Sequence, residues 1–405
     1  MASRRHRDVA FVMGVCAAVL VLGYVGKACR GFWHDPLSFV CHSDIRALYH
    51  LRGMDRDLFP YLHGELIVST EPGTPVRYGL RPVDGANEYP VLTGILMWLP
   101  SLVSDGPDTY LLASALLLAP FGLVTAWLLG RMTGRRALLW AASPILMLYA
   151  FHNWDLAVVA ASVAGFWCWW RGRPTAAAVW FGIGGALKLY PLFFLLPLVR
   201  ERIHVGDRRG AVRAGAAGIG TVALINLPFV ILDAAGWAVA YRFQSLRIPN
   251  YDSLWGVLSE LFPLDQGTIT MLSSVALAVV LAAVIWATER RARREGSYAF
   301  LPACAALLTG FLLVSKVHSP QYALWVLPMF VLVQVRFGWY ALFVAGNLWT
   351  YVAIFTVSLW DEDMRAALTT WSVWARAATF LLLVVVFLRA PPAVASGPDP
   401  AEIGV

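Results

Sequence analysis

The chain alternates long apolar runs with short charged junctions. Apolar stretches occupy about residues 9–25, 90–103, 109–130, 137–151, 155–170, 174–200, 211–232, 269–288, 298–315, 321–335, 338–358 and 367–388. A helix needs about 20 residues to cross about 30 Å of hydrocarbon. Most of these runs are therefore predicted to span a bilayer. Arginines punctuate them: Arg4, Arg5 and Arg7 before the first, then Arg131 with Arg135 and Arg136, and Arg171 with Arg173. Arg200, Arg202, Arg208, Arg209 and Arg213 follow, and then Arg290, Arg291, Arg293 and Arg294. Cytoplasmic junctions are enriched in Arg and Lys, so this punctuation orients the chain.

Two runs need interpretation. Run 90–103 is short and flanked by acidic residues, and as a crossing it would put the Arg131 and Arg171 clusters outside. It is read as a juxtamembrane or re-entrant helix on the outer face. Run 174–200 is long enough for one tilted helix, but one crossing would carry the Arg200–Arg213 cluster outside. Two half-helices broken near Lys188 keep every basic cluster inside. They also spare a lysine from the helix centre, which costs about 2.5–3.5 kcal/mol on translocon scales. The first run reads as a span rather than a cleaved signal, because its small-residue cleavage site is poorly formed. The expectation is an all-α polytopic bundle of about 12 spans with both termini cytoplasmic.

Composition narrows the class. Of 405 residues, 59% are hydrophobic and 14% charged, and mean hydropathy is +0.63. Average soluble domains are about 45–50% apolar and about 25% charged. A soluble enzyme, a disordered chain and a secreted disulfide scaffold are thereby excluded. The net charge of +7 forms no stripe on a soluble element, so nucleic acid is not the expected partner; the lipid bilayer is. One domain is expected over 1–390, with exterior loops at about 28–108 and 233–268. The Pro- and Ala-rich segment 391–405 reads as a disordered cytoplasmic tail.

Cys16, Cys168 and Cys304 lie in apolar runs and behave as small apolar residues. Cys29 and Cys41 flank the start of the first exterior loop, where a disulfide would brace Asp44; the residues leave that pairing open. No Cys/His spacing suggests zinc, and no acidic pair demands a metal. Gly182-x-Gly184-Gly185 lies in an apolar run without a preceding strand, which favours close helix packing over a phosphate turn. No Walker motif is present.

The carboxylates congregate on the predicted exterior face, making it the chemical face. Four junctions there hold ionisable groups near the membrane, where such groups are functional by default. They are Cys41-His42-Ser43-Asp44, His152-Asn153-Trp154-Asp155, Lys188-Leu189-Tyr190-Pro191 and Lys316-Val317-His318-Ser319-Pro320-Gln321-Tyr322. Lysine occurs only at 27, 188 and 316, which singles out the last two. Each residue also has a plainer reading: Asp44 as a solvated carboxylate, Asp155 as a helix cap, Lys188 snorkelling and His318 bonded to backbone. Together they suggest cations holding a phosphate beside a carboxylate that takes a proton from an acceptor hydroxyl. Sugar nucleotides are cytoplasmic, so transfer on the exterior face needs a lipid-borne donor.

These motifs resemble glycosyltransferase family 87, within the GT-C superfamily, from about residue 38 to 330. The resemblance rests on Ser43-Asp44-Ile45 with Glu88-Tyr89-Pro90, on Asn153-Trp154-Asp155, and on Gly185-Ala186-Leu187-Lys188-Leu189-Tyr190-Pro191. Phe243-Gln244 with Arg247, Ser253-Leu254-Trp255 and Ser319-Pro320-Gln321-Tyr322 complete it. It implies an inverting transfer with Asp44 as base, and Lys188 and His318, with Lys316, gripping the donor phosphate. Arg52, Glu88, Tyr89, Asp155, Tyr190, Gln244, Arg247 and Gln321 are the expected supporting residues. It further implies a polyprenyl-phosphate-sugar donor, with mannose as the family's sugar, a glycolipid or envelope-glycan acceptor, and neither cofactor nor metal. A lipid or solute transporter, and a non-catalytic envelope-assembly protein, are the rival readings.

Overall fold

The computed structural model describes residues 2–28, 41–68, 80–83, 85–355 and 361–394. It is nearly all helical, with 79% helix and 2% strand. Six helices are long and apolar enough to cross a membrane: α1 (Ala2–Lys27), α4 (Pro107–Thr133), α10 (Arg208–Leu232), α13 (Gln266–Glu295), α16 (Phe337–Phe355) and α17 (Glu362–Arg389). Shorter apolar helices accompany them: α3 (Val91–Ser101), α7 (Asp155–Trp170), α8 (Pro174–Leu187), α14 (Phe300–Val314) and α15 (Ala323–Leu332). Run 137–151 forms two short helices, α5 (Leu138–Ala141) and α6 (Pro144–Tyr149). The count of twelve thus does not follow from helix length, since several expected spans are short or interrupted helices.

Burial separates the centre from the rim. Helices α7, α14 and α15 are apolar all round and almost wholly buried, the pattern of central helices. Helices α10 and α13 carry spanning windows of mean hydropathy 1.9 and 2.4, yet only 11% of each window is buried. Apolar surface of that extent is stable against lipid and not against water. Carboxylates and hydroxyls start the helices by accepting the first free backbone N–H groups. Asp207 caps α10, Asp265 caps α13 and Asp361 caps α17. In the same way Asp233 caps α11 (Ala234–Leu246) and Ser253 caps α12 (Leu254–Leu261).

The 174–200 run is broken. Helix α8 stops at Leu187, Lys188 is extended at φ −152° and ψ 144°, and a 3-10 turn from Tyr190 leads into α9 (Leu195–His204). Pro191 enforces the break, because it cannot donate to the Leu187 carbonyl and its ring would clash with it. The glycine motif packs helices closely. A Cβ on Gly182 would lie 2.5 Å from the Gly218 carbonyl oxygen on α10, and one on Gly185 2.5 Å from Leu192.

The basic clusters meet at one end of the bundle. Arg135 pairs with Asp8 at 2.7 Å, and Arg200 with Glu289 at 2.7 Å. Arg136 donates to the carbonyls of Phe330, Val331 and Val333, and Arg291 to those of Leu388 and Ala390. The expected disordered tail is corrected at its start. Pro392 bridges Val333, and the Gln334 and Ala393 N–H groups donate to Pro391 and Leu332. Residues 395–405 lie outside the described residues.

At the other end lie α2 (Asp44–Leu51), α3, and a hairpin of β1 (Glu65–Val68) with antiparallel β2 (Leu80–Val83), Glu65 opposite Val83. Tyr61, buried at φ +70°, donates its hydroxyl to the carbonyls of Tyr89 and Pro90 at 2.9 and 2.8 Å. That clamp holds the Glu88-Tyr89-Pro90 return in place.

Candidate active site

A cavity of about 900 Å³ opens at this end. The expected residues Asp44, Arg52, Glu88, Tyr89, Lys188, Tyr190, Gln244, Arg247, Lys316 and Gln321 all line it. Segments far apart in sequence are brought there by the start of α2, the return before α3, the break after α8, the end of α11 and the turn before α15.

Asp44 sits at the first residue of α2. Its segment is joined to the α6–α7 junction by the Asp44 N–H donating to the His152 carbonyl at 2.8 Å and the Ser43 hydroxyl to that of Phe151 at 2.8 Å. The carboxylate lies 3.3 Å from His42 Nε2 and 3.7 Å from His152 Nε2, and it accepts from Asn153 Nδ2 at 3.0 Å. Burial opposes its ionisation, but the two imidazoles and the Asn153 amide outweigh burial and hold it well below the usual carboxylate range. Asp44 is thus an anion aimed at the cavity, not the freely solvated carboxylate of the plainer reading.

Asn153 connects this anion to the cation. Its amide also donates to Tyr89 Oη at 2.8 Å, and its carbonyl accepts from Lys188 Nζ at 3.4 Å. Lys188 is ion-paired with Asp155 at 2.7 Å, and its ammonium lies about 5.5 Å from the ring centres of Tyr89, Tyr322 and Trp325. Asp155 is 0% exposed. It caps nothing, and its other contact is Trp325 Nε1, which donates at 2.7 Å. It therefore stands behind Lys188 rather than on the cavity wall.

Arg52 grips Glu88 through two nitrogens, Nη2 to Oε1 at 2.7 Å. Gln244 donates to the Glu88 carbonyl at 3.2 Å. Tyr190 stacks on Trp325, 4.3 Å between centroids. Lys316 donates to the Ser245 carbonyl and to Thr270 Oγ1 at 3.1 and 2.9 Å. Burial lowers the Lys316 pKa. Neither Lys316 nor Arg247 touches a carboxylate among the described residues.

His318 is a correction to the expected phosphate grip. Its ring is 3% exposed and turned from the cavity, with Nδ1 3.7 Å from Asp252 Oδ2. Arg376 donates to the Asp252 backbone and stands 4.0 Å from its carboxylate. Burial, then the Arg376 charge, push the imidazole down to about 4. A neutral ring is no phosphate cation. Its backbone matters more, since Asn250 Nδ2 donates to the His318 carbonyl and ties the 247–253 segment to the 315–319 turn.

Sequence reasoning quoted Asn153 within a motif but gave it no role, and missed Trp325, Asp252 and Arg376 as parts of the site and its support. Asn153 and Asp252 had adjacent motifs that could have drawn attention to them. Arg376, isolated in the last apolar run, carried the general signal of a charge at membrane depth. Cys16, Cys168 and Cys304 are free, and Cys41 is disulfide-bonded. The Cys29–Cys41 pairing lies outside the described residues because Cys29 does.

The helical bundle thus gathers a carboxylate, cations and aromatic rings around one cavity, the parts of a membrane enzyme's site. The chain belongs to glycosyltransferase family 87, whose model matches residues 88–315. It is 27% identical over 327 residues to a polyprenol-phosphate-mannose-dependent alpha-(1-2)-phosphatidylinositol mannoside mannosyltransferase of Mycobacterium tuberculosis, covering 75% of this chain and 69% of that protein. No solved structure matches the chain. The protein is therefore a membrane glycosyltransferase.

Proposed function

We propose that this enzyme moves a hexosyl group, mannosyl by analogy with its relative, from a polyprenyl-phosphate-sugar to a glycolipid or envelope-glycan acceptor, with inversion. The observation that carries the proposal is the single cavity lined by Asp44, Lys188, Arg247 and Lys316. Asp44 takes the proton of an acceptor hydroxyl as that oxygen attacks the anomeric carbon. The bond from that carbon to the phosphate oxygen breaks as the new one forms. One displacement inverts the centre, and the polyprenyl phosphate leaves with the electron pair.

Lys188, Lys316 and Arg247 hold the departing phosphate by charge-assisted hydrogen bonds. His318 is withdrawn from that role, and Asp155 orients Lys188. Arg52, Glu88, Tyr89, Tyr190, Gln244 and Gln321 contact sugar hydroxyls and rings. The prenyl chain lies between helices at the cavity's apolar wall. In this reading residues 1–390 form one domain of about twelve spans, and the cavity faces the exterior. The gathering of Arg135, Arg136, Arg200 and Arg291 at the opposite end supports that orientation.

The test is purified protein incubated with radiolabelled polyprenyl-phosphate-mannose and an extract of host lipids. A labelled, base-stable glycolipid of inverted linkage supports the reading. Vesicle uptake of substrate without any transferred label favours a transporter instead.

A further inference from the structure

Two imidazoles, His42 and His152, flank Asp44 and have no part in the transfer chemistry proposed above. The ligand atoms of the three residues all lie within 4.8 Å of one another, with Asp44 3.3 Å from His42 and 3.7 Å from His152. A tetrahedral metal with bonds of about 2.0–2.1 Å sets its ligands about 3.3–3.4 Å apart. The two Asp44 distances, to Oδ1 and Oδ2 respectively, are near that value, and the widest ligand pair, within 4.8 Å, must close by up to about 1.4 Å. We propose that His42, Asp44 and His152 bind a transition-metal dication of the zinc class, and that occupancy blocks proton acceptance by Asp44.

The scaffold around the cluster is rigid. His42 stacks on Phe355 at 4.9 Å between centroids and lies 5.1 Å from the His152 ring. The two backbone segments are tied by the Asp44–His152 and Ser43–Phe151 hydrogen bonds already described. His152 is 2% exposed and its Nδ1 has no hydrogen-bond partner. Asn153 donates to Asp44 Oδ2 from behind, the outer-shell contact that orients ligating carboxylates. The cavity supplies the open fourth position, since Asp44 lines it.

Two imidazoles and one carboxylate suit zinc, cobalt or nickel rather than magnesium or calcium, which take oxygen ligands. One group opposes the ion. The Lys27 ammonium, buried and held by Tyr351 Oη at 3.3 Å, acts electrostatically on both Asp44 and His152. The second half of the proposal rests on Asp44 being the base. Coordination withdraws electron density from the carboxylate and lowers its basicity, and Asp44 Oδ2 already accepts from Asn153, so the bound carboxylate is a poor acceptor for the proton.

The experiment is a Co²⁺ titration of tag-free, chelator-stripped full-length protein in detergent, read by visible d–d absorption, with Zn²⁺ and Mg²⁺ as competitors. Expected are tetrahedral bands at one ion per chain that Zn²⁺ displaces and Mg²⁺ does not. His42→Ala and His152→Ala should each weaken binding by at least about tenfold, and Lys27→Met should tighten it. His42 is part-exposed, so a monodisperse His42→Ala variant keeps the test valid if His152→Ala fails to fold. No bands, or bands unchanged in His42→Ala, overturn the site. A transfer assay of the loaded enzyme then separates the two claims. Loaded enzyme with undiminished transfer overturns the block and the base role of Asp44. Zinc binding to a protein that transfers no sugar even when stripped leaves the site standing and counts against the proposed function alone.

Discussion

Lys188 has two roles, one structural and one proposed for chemistry, and a pair of substitutions separates them. Its ammonium pairs at 2.7 Å with an Asp155 that is 0% exposed. Lys188→Met keeps the length of the side chain and removes the charge. Asp155 would then retain only the Trp325 indole N–H on Oδ1, its Oδ2 being already without a partner. Breaking a buried pair from one side costs about 3–5 kcal/mol, whereas replacing both partners is often neutral. The three aromatic rings around the ammonium add to the single-variant loss, at about 0.5–1 kcal/mol or more each. Lys188→Met alone should therefore unfold several degrees below wild type in detergent, followed by tryptophan fluorescence. Adding Asp155→Asn removes the stranded charge and leaves an amide oxygen for Trp325, so thermal stability should largely return. Transfer should not return, because the cavity still lacks its ammonium. A single variant within about 1 kcal/mol of wild type would refute the ion-pair argument. A double variant that regains both stability and transfer would show that Lys188 serves packing and not the phosphate.

Asp44→Asn is nearly isosteric and should lower kcat by about 10²–10⁴ with normal membrane insertion; wild-type turnover would remove the base assignment. Arg247→Gln and Lys316→Gln should raise KM for the donor more than they lower kcat, and unchanged donor saturation in both would shift phosphate binding elsewhere. His152 and His318 titrate at about 3 and about 4 in the folded protein against 6.5 unfolded. The unfolded chain therefore binds more protons below about pH 6.5, and stability should fall on acidification by up to about 1.4 kcal/mol per pH unit for each group. That loss continues to about pH 4 for His318 and about pH 3 for His152, whereas Asp44, lowered from 3.8, adds loss only below its unfolded value. A melting temperature flat between pH 7 and 5 would contradict the neutral, buried assignment. Gly182→Val places a Cβ 2.5 Å from the Gly218 carbonyl, forces α8 from α10 and should cost about 1–3 kcal/mol, read as a lower Tm.

The helices, the break at Lys188 and the short α3 were legible because they follow from local rules. Apolar length, the position of Pro191 and the charge flanking each run act within a few residues of sequence. The candidate residues were legible for a related reason: a carboxylate or lysine beside a span has few inexpensive places to be. What those groups touch was not legible. Asp155 and Lys188 belong to different apolar runs, and neither motif names its partner. His318 could be placed at the correct end of the bundle but not pointed, because its direction depends on Arg376, contributed by the last helix. A buried imidazole beside that cation stays neutral, and no spacing rule within residues 316–322 contains that information. Asn153 was hidden for another reason. An amide has no charge to make it conspicuous, yet it donates to Asp44 through its nitrogen and accepts from Lys188 through its oxygen.

The distribution of charge along the cavity bears on which substrate groups go where. Arg52 and Glu88 satisfy each other, as do Lys188 and Asp155. Neither pair contributes much net field, so Arg52 and Glu88 act mainly as hydrogen-bonding groups suited to hydroxyls, and Lys188 meets the phosphate as a positioned donor rather than as an unneutralised charge. The remaining lining charges are unequal in kind. Against burial, the His152 and His42 imidazoles and the Asn153 amide hold Asp44 as an anion, Arg247 and Lys316 touch no carboxylate among the described residues, and the Glu260 carboxylate also lines the cavity. An anionic leaving group is driven towards the two cations and away from Asp44, while a neutral hydroxyl can approach Asp44 without electrostatic cost. Tyr89, Tyr322 and Trp325 surround the Lys188 ammonium, and Tyr190 stacks on Trp325. A sugar ring placed there would present its anomeric carbon to the base side and its phosphate to the cation side. In the proposed reading, direct displacement with inversion needs the base and the departing phosphate on opposite sides of the anomeric carbon.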